Sequence, residues 1–317
     1  MFYLVRHDTR YKYEEDIREN VMELRLEPRS DGLQRCLSFL LRVDPTPRVF
    51  QYRDARGNTV HHFDIAPSHR NLSIYAESLV ETRPPKSPPS GEGVTWEEID
   101  NPSEDGQRVE MMTPSSFCRT SQELQEFCRA TGVERQHFRG PFELVVGASN
   151  SIFENLSYSP EATRVDSSID VALQRKSGVC QDFAHILISI LRENRIPARY
   201  VSGYLFHREV SEFHIAADAT HAWVEAWLPQ LGWVGFDPTS NLLCGERHIR
   251  TAIGRDYHDV PPTKGIYKGG RGGQMLVGVS VELWGSGLSH GRELVPVLVQ
   301  SQSERAAAEI AGAGEQQ

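Results

Sequence analysis

The chain has no C-x-x-C pair, no H-E-x-x-H, no basic stripe and no apolar run long enough to span a membrane. Each absence excludes a class. The five cysteines, Cys36, Cys118, Cys128, Cys180 and Cys244, are odd in number and widely spaced. Neither a disulfide framework nor a structural zinc site is expected from them. The 12 histidines show no ligand spacing, and His61-His62 falls in a β pattern, so no metal and no cofactor are expected. A net charge of −9 argues against nucleic-acid or anionic-membrane partners, which reward clustered Lys and Arg. The opening MFYLVRHDTRYKYEED has no basic segment followed by an apolar one, so neither a leader nor an anchor is expected, and the location expected is cytoplasmic.

What is present is an ordinary globular composition, 39% hydrophobic and 24% charged, over 317 residues, enough for two domains. Residues 1–83 read as a small antiparallel β-sandwich domain. FYLVRHDTRYKY, VMELRLEPR and NLSIYAESLVET alternate apolar and polar residues, and Asp54-Ala55-Arg56-Gly57-Asn58 is a turn. CLSFLLRVDPTP reads as a more buried run ending at prolines. Residues 84–113 include the Pro- and Ser-rich PPKSPPSGEG and read as a linker.

From 114 to 300 the pattern is first helical and then stranded, and this stretch reads as a second domain. Thr120 or Ser121 is the expected cap of its first helix. CQDFAHILISILREN is apolar nearly all round and predicts a buried central helix. ARYVSGYLF, HAWVEAWLP and GWVGFDP follow as strands, with GQMLVGVSVELW as a further one. The tail, 301–317, is small and polar and reads as flexible.

Three residues carry candidate chemistry. Ser177 as N-cap would put Cys180 in the first helical turn, where unpaired N–H groups and the helix dipole favour a thiolate. The same groups could receive an oxyanion. Local sequence alone leaves Cys180 open between core residue and nucleophile. His221 begins a strand in which His221, Trp223, Glu225 and Trp227 share one face. Asp237 closes the next strand, after a turn at Pro229-Gln230-Leu231-Gly232. The hairpin brings His221 and Asp237 to the same open end, and register supports nearness without establishing contact. Together the three fit the nucleophile, base and orienting group of covalent acyl transfer.

GVCQDFAHILISILRENRIPARYVSGYL, DATHAWVEAWLPQLGWVGFDPTSN and HIRTAIGRDYHDVPPTKGIYKGG resemble the bacterial transglutaminase-like family. HDTRYKYEEDI, LRLEPRSDGLQRCLSF and DARGNTVHHFDI resemble the β-rich domain that often precedes that core. The resemblance implies an α+β, papain-like core, with a cysteine-bearing helix packed on an antiparallel sheet. It maps the triad onto Cys180, His221 and Asp237. It implies a thioester acyl-enzyme formed from a peptide or protein acyl donor and resolved by water or by an amine acceptor. Protease or amidase action is favoured over amine transfer. A catalytically silent binding module with the same fold is the alternative.

Other residues are secondary candidates. Gln174 stands six residues before Cys180, the spacing of the oxyanion glutamine in papain-like proteases. Gln181 and Asp182 adjoin the nucleophile and read as capping or supporting groups. Trp223 could wall the cleft, Asp218 could meet a substrate amine, and Tyr257 lies in a segment expected to line the site.

Overall fold

The computed structural model describes residues 1–84, 91, 93–100, 106–207, 220–270, 272–285 and the backbone of 297–300. Asp218, the tail from 301 and parts of the expected linker lie outside the described residues. In chain order, β1 (Phe2–Leu24), β2 (Gln34–Asp44), β3 (Phe50–Arg53), β4 (Thr59–Ile65) and β5 (His69–Thr82) come first. Then come α1 (Trp96–Asp100), α2 (Gly106–Glu110), α3 (Gln122–Thr131), α4 (Pro141–Asn155), β6 (Ser157–Tyr158), α5 (Ile169–Arg175), β7 (Ser177–Gly178) and α6 (Cys180–Glu193). They are followed by β8 (Ala198–Leu205), β9 (His221–Leu228), β10 (Gly232–Asp237), β11 (Leu242–Leu243) and β12 (His248–Gly254). The last strands are β13 (Thr263–Lys268), β14 (Gly273–Leu283) and β15 (Val297–Gln300). Among the described residues, no helix is long and apolar enough to cross a membrane.

The chain forms two compact units. One is built around β1, whose 23 residues serve two pairings. Its first half lies between β5 and β14, and its second half between β4 and β13. The pairing with β5 shifts register between Lys12 and Ile17, and Glu19 adopts φ 48°. Such irregularities let one strand turn from one sheet direction into another. Alternation sends Tyr3, Val5, His7 and Thr9 inward.

Two sequence expectations change here. The run CLSFLLRVDPTP is not a buried strand: among the described residues β2 pairs with β5 alone, and Leu37 and Leu40 are exposed. A strand with one neighbour has an uncovered side, whatever its hydropathy. The stretch 263–300, placed with the catalytic domain by chain order, pairs instead with β1 through β13 and β14, with β15 added to β14. Non-local strand pairing leaves no mark in local sequence.

The other unit holds α6 against the sheet β11-β10-β9-β8-β12. Ser121 caps α3 by accepting the Leu124 N–H at 3.2 Å, and Gly132 at φ 70° ends that helix. Residues Gln181 to Arg192 of α6 are all buried, as its all-round apolar character requires. Ala222, Val224, Ala226 and Leu228 of β9 join the same core as Phe183, Leu187 and Ile190 of α6. The far end of α6 is pinned by Arg192. Its guanidinium donates to the carbonyls of Met111, Thr113, Ala198 and Arg255 and to Ser115 Oγ, at 2.6–3.1 Å. A buried cation with its N–H groups satisfied is tolerated and fixes several chain segments at once.

Candidate active site

Cys180 is the first residue of α6. The N-cap is Val179 rather than Ser177, which sits in β7. Valine has no side-chain acceptor, so Asp182 does the capping by reaching back to accept the Val179 N–H at 2.8 Å. Asp182 also accepts from Thr163 Oγ1. Burial raises the Asp182 carboxyl, and these two hydrogen bonds oppose that shift. A methyl group at Gly178 would stand 2.8 Å from Asp182 Oδ2, so this cap requires glycine there. The first N–H groups of α6, at Cys180, Gln181 and Asp182, have no acceptor inside the helix.

The hairpin register explains the rest of the geometry. Leu228 pairs with Gly232 and Val224 with Phe236, so the connection is Pro229 to Leu231, one residue shorter than expected. Gln230 at φ 66° and Gly232 at φ 73° shape this turn. The register sets Asp237 opposite Trp223, and His221 lies two residues along the same face. That diagonal is closed by side chains: His221 Nε2 lies 2.9 Å from Asp237 Oδ2. The carboxylate is fully buried, whereas the imidazole keeps 12% of its side-chain surface.

Asp237 is an acceptor only, so His221 Nε2 carries a proton towards it, and Nδ1 is the ring nitrogen left available to other partners. Burial alone would lower the pKa of His221. The Asp237 carboxylate, the hydrogen bond to it and the Cys180 side chain outweigh that and hold the imidazole at about 10. Burial would raise Asp237, but His221 and then His248 drive it well below the usual carboxylate range. At neutral pH the pair is therefore imidazolium and carboxylate.

Trp223 does not offer a wall to a cleft, being only 1% exposed. It packs with Val201 and Ile253, its ring stacked 6.1 Å from His221 and edge-on to His248 at 5.2 Å. Gly203, the β8 partner of His221, leaves room for it. A methyl group there would lie 2.5 Å from the Trp223 ring and 2.2 Å from the Ile249 carbonyl. We expect Gly203→Ala to destabilise the fold by about 3 kcal/mol, as overpacking does. Urea unfolding measures this, and a change within error would show that the Trp223 platform yields easily.

The remaining candidates are placed as follows. Gln174 is exposed on α5, its amide donating to Glu123 Oε1 at 2.8 Å. Gln181 is buried and donates to the Val165 carbonyl at 2.8 Å, a supporting bond as expected. Tyr257 is partly buried beside the core; its N–H donates to His185 Nε2 at 3.2 Å, and its ring meets Tyr200 edge-on. Glu225, on the His221 face, is held by Arg199 and Arg250.

Two residues near the triad were not singled out from sequence. Tyr158 pairs with Gly178 and meets Phe183, one turn beyond Cys180, edge-on at 6.5 Å. Tyr158 as a whole is about half exposed, and burial of the covered part of its ring, followed by Cys180 and Asp182, raises its phenol. His248 Nε2 lies 3.4 Å from Asp237 Oδ2. The block beginning at His248 carried part of the family resemblance, but only Gly254–Asp259 within it was expected to line the site, and no local pattern marked His248. Donor atoms of His221, Asp237 and His248 all lie within 4.8 Å of one another. A cation there would have to displace the proton that His221 holds up to about pH 10.

Comparison with known proteins places the chain in a family. Residues 3–81 match the bacterial transglutaminase-like N-terminal region, and residues 130–238 match the transglutaminase-like superfamily. An uncharacterized protein of Mycobacterium leprae is 35% identical over 264 residues, covering 83% of this chain and 92% of that one. The protein-glutamine gamma-glutamyltransferase of Pseudomonas aeruginosa is 37% identical over 87 residues, 25% of this chain and 12% of that protein. A crystal structure from Cytophaga hutchinsonii, provisionally assigned as a cysteine protease, shares the fold with a TM-score of 0.69 at 20% identity, covering 96% of this chain and 95% of that one. With a matching core, a matching N-terminal region and a relative aligned over most of both chains, this chain belongs to the transglutaminase-like superfamily.

Proposed function

We propose that the protein is a cysteine acyl-transfer enzyme that attacks an amide of a peptide or protein through Cys180, with hydrolysis favoured over transfer to an amine. The observation that carries this reading is the closed His221–Asp237 pair with Cys180 acting on the same imidazole.

In the first half-reaction the Cys180 sulfur bonds to the substrate carbonyl carbon. The carbonyl oxygen becomes an oxyanion, and the N–H groups at the start of α6 are donors suited to receive it. His221 gives its proton to the departing amine nitrogen as the C–N bond breaks, leaving a thioester. In the second, water attacks the thioester and His221 takes its proton. The carboxylic acid leaves and the sulfur is freed. Asp237 keeps the imidazole in one tautomer throughout. All five cysteines are free thiols, which suits a reducing cytoplasm.

Incubation with a peptide library followed by intact-protein mass spectrometry should reveal a thioester adduct on Cys180. Its decay should be set by water and little accelerated by a primary amine. Rapid amine-dependent decay would reassign the enzyme as a transferase. Absence of any adduct across acyl donors would favour the silent binding module.

A further inference from the structure

Asp237 is shared. Its Oδ2 takes both His221 Nε2 at 2.9 Å and His248 Nε2 at 3.4 Å, and its Oδ1 takes the Thr239 N–H at 3.0 Å. His248 is buried, and its ring orientation is set from the other side. The Gly245 N–H donates to His248 Nδ1 at 3.3 Å, so Nδ1 is an acceptor and the ring proton sits on Nε2, aimed at the carboxylate. His248 thus meets Asp237 as a neutral donor, while His221 meets it as a cation.

We propose that His248 is a positioning residue for acyl transfer: by donating to the same oxygen that binds His221, it steadies Asp237 and limits how tightly the carboxylate holds the imidazolium proton. The reasoning is electrostatic. A carboxylate oxygen that already accepts one hydrogen bond is a weaker partner for the next. Without His248, Asp237 would grip His221 harder, and His221 would be a poorer acid towards a leaving amine. The charged groups around this contact are few. His221 comes from β9, Asp237 from β10, and Arg247 immediately precedes His248. Cys244 lies close enough for Asp237 to act on it, and Cys180 from α6 acts on His221. The burial that lowers the pKa of His248 favours the neutral form required.

This inference rests on the triad reading above, so its test uses two readouts. One is the His221 titration followed by NMR of histidine-labelled full-length protein, which needs no substrate. The other is the pH profile of thioester formation. His248→Phe should raise the His221 midpoint and the alkaline limb by about one unit, and lower kcat about tenfold with KM unchanged. His248→Gln, which keeps an N–H donor at similar reach, should stay near the wild-type values. Should the Phe variant not fold, His248→Leu provides the second test. It removes the same N–H donor with a smaller apolar side chain. It should move the midpoint in the same direction. An unchanged midpoint, a midpoint falling towards 6.5, or a Gln variant behaving like Phe would overturn the proposal. If the NMR shift appears but no thioester forms in wild type, the proposed reaction fails and the shared-carboxylate geometry stands.

Discussion

Replacing Cys180 by alanine lowers kcat/KM by at least about 10⁴-fold and leaves the unfolding transition near wild type. The substitution deletes the sulfur proposed to form the thioester, while the cap of α6 is untouched, because Asp182 serves the Val179 N–H and not the thiol. The same cysteine should stand out chemically. Burial pushes Cys36 up to about 11 and Cys118 and Cys128 up to about 12, and it pushes Cys244 well above the usual thiol range. Iodoacetamide at neutral pH should therefore label Cys180 first, with peptide mapping as the readout. Uniformly slow labelling of all five thiols would argue against an activated nucleophile.

Asp237→Asn is the second large effect. The side chain keeps its shape but loses its charge, and its amide can donate to His221 Nε2 and so favour the wrong tautomer. A loss of about 10⁴-fold in kcat is expected, as for the same change in a serine-protease triad. The pH dependence should change as well. In the wild type His221 stays protonated up to about 10, so the alkaline limb of the rate profile belongs there. Without the carboxylate only Cys180 is left to oppose burial, and the midpoint should fall well below its wild-type position. Stability follows the same pair. The raised His221 contributes fully below 6.5 and loses its contribution as pH rises through about 10. The depressed Asp237 contributes fully above 3.8 and loses its contribution as pH falls. The difference in urea midpoint between wild type and Asp237→Asn should therefore be largest between 3.8 and 6.5.

Much of the site could be read from the residues because its parts sit at element ends. Cys180 opens an apolar helix, His221 opens a strand, and Asp237 closes the next strand. Each boundary is written locally, in a change of periodicity or a turn. Parity along β9 was equally legible, since alternation is a property of the strand itself. Contact was not. Whether His221 reaches Asp237 depends on the length of one turn, and a connection of three residues instead of four shifts the register by one place.

What the sequence determined alone was the helix-then-strands order, the all-round burial of α6, a cap for α3 at Thr120 or Ser121 and the three candidate residues at element ends. These rest on interactions within a few residues of one another, so composition and spacing carry them. What only the tertiary structure decided was non-local. It set β13 and β14 beside β1, left β2 as an edge, gave the cap of α6 to Asp182 rather than Ser177, and buried Trp223 beneath His221. It also brought His248, 11 residues past Asp237, back to the same carboxylate oxygen. Strand pairing and side-chain reach join residues distant in the chain, and local periodicity does not encode either.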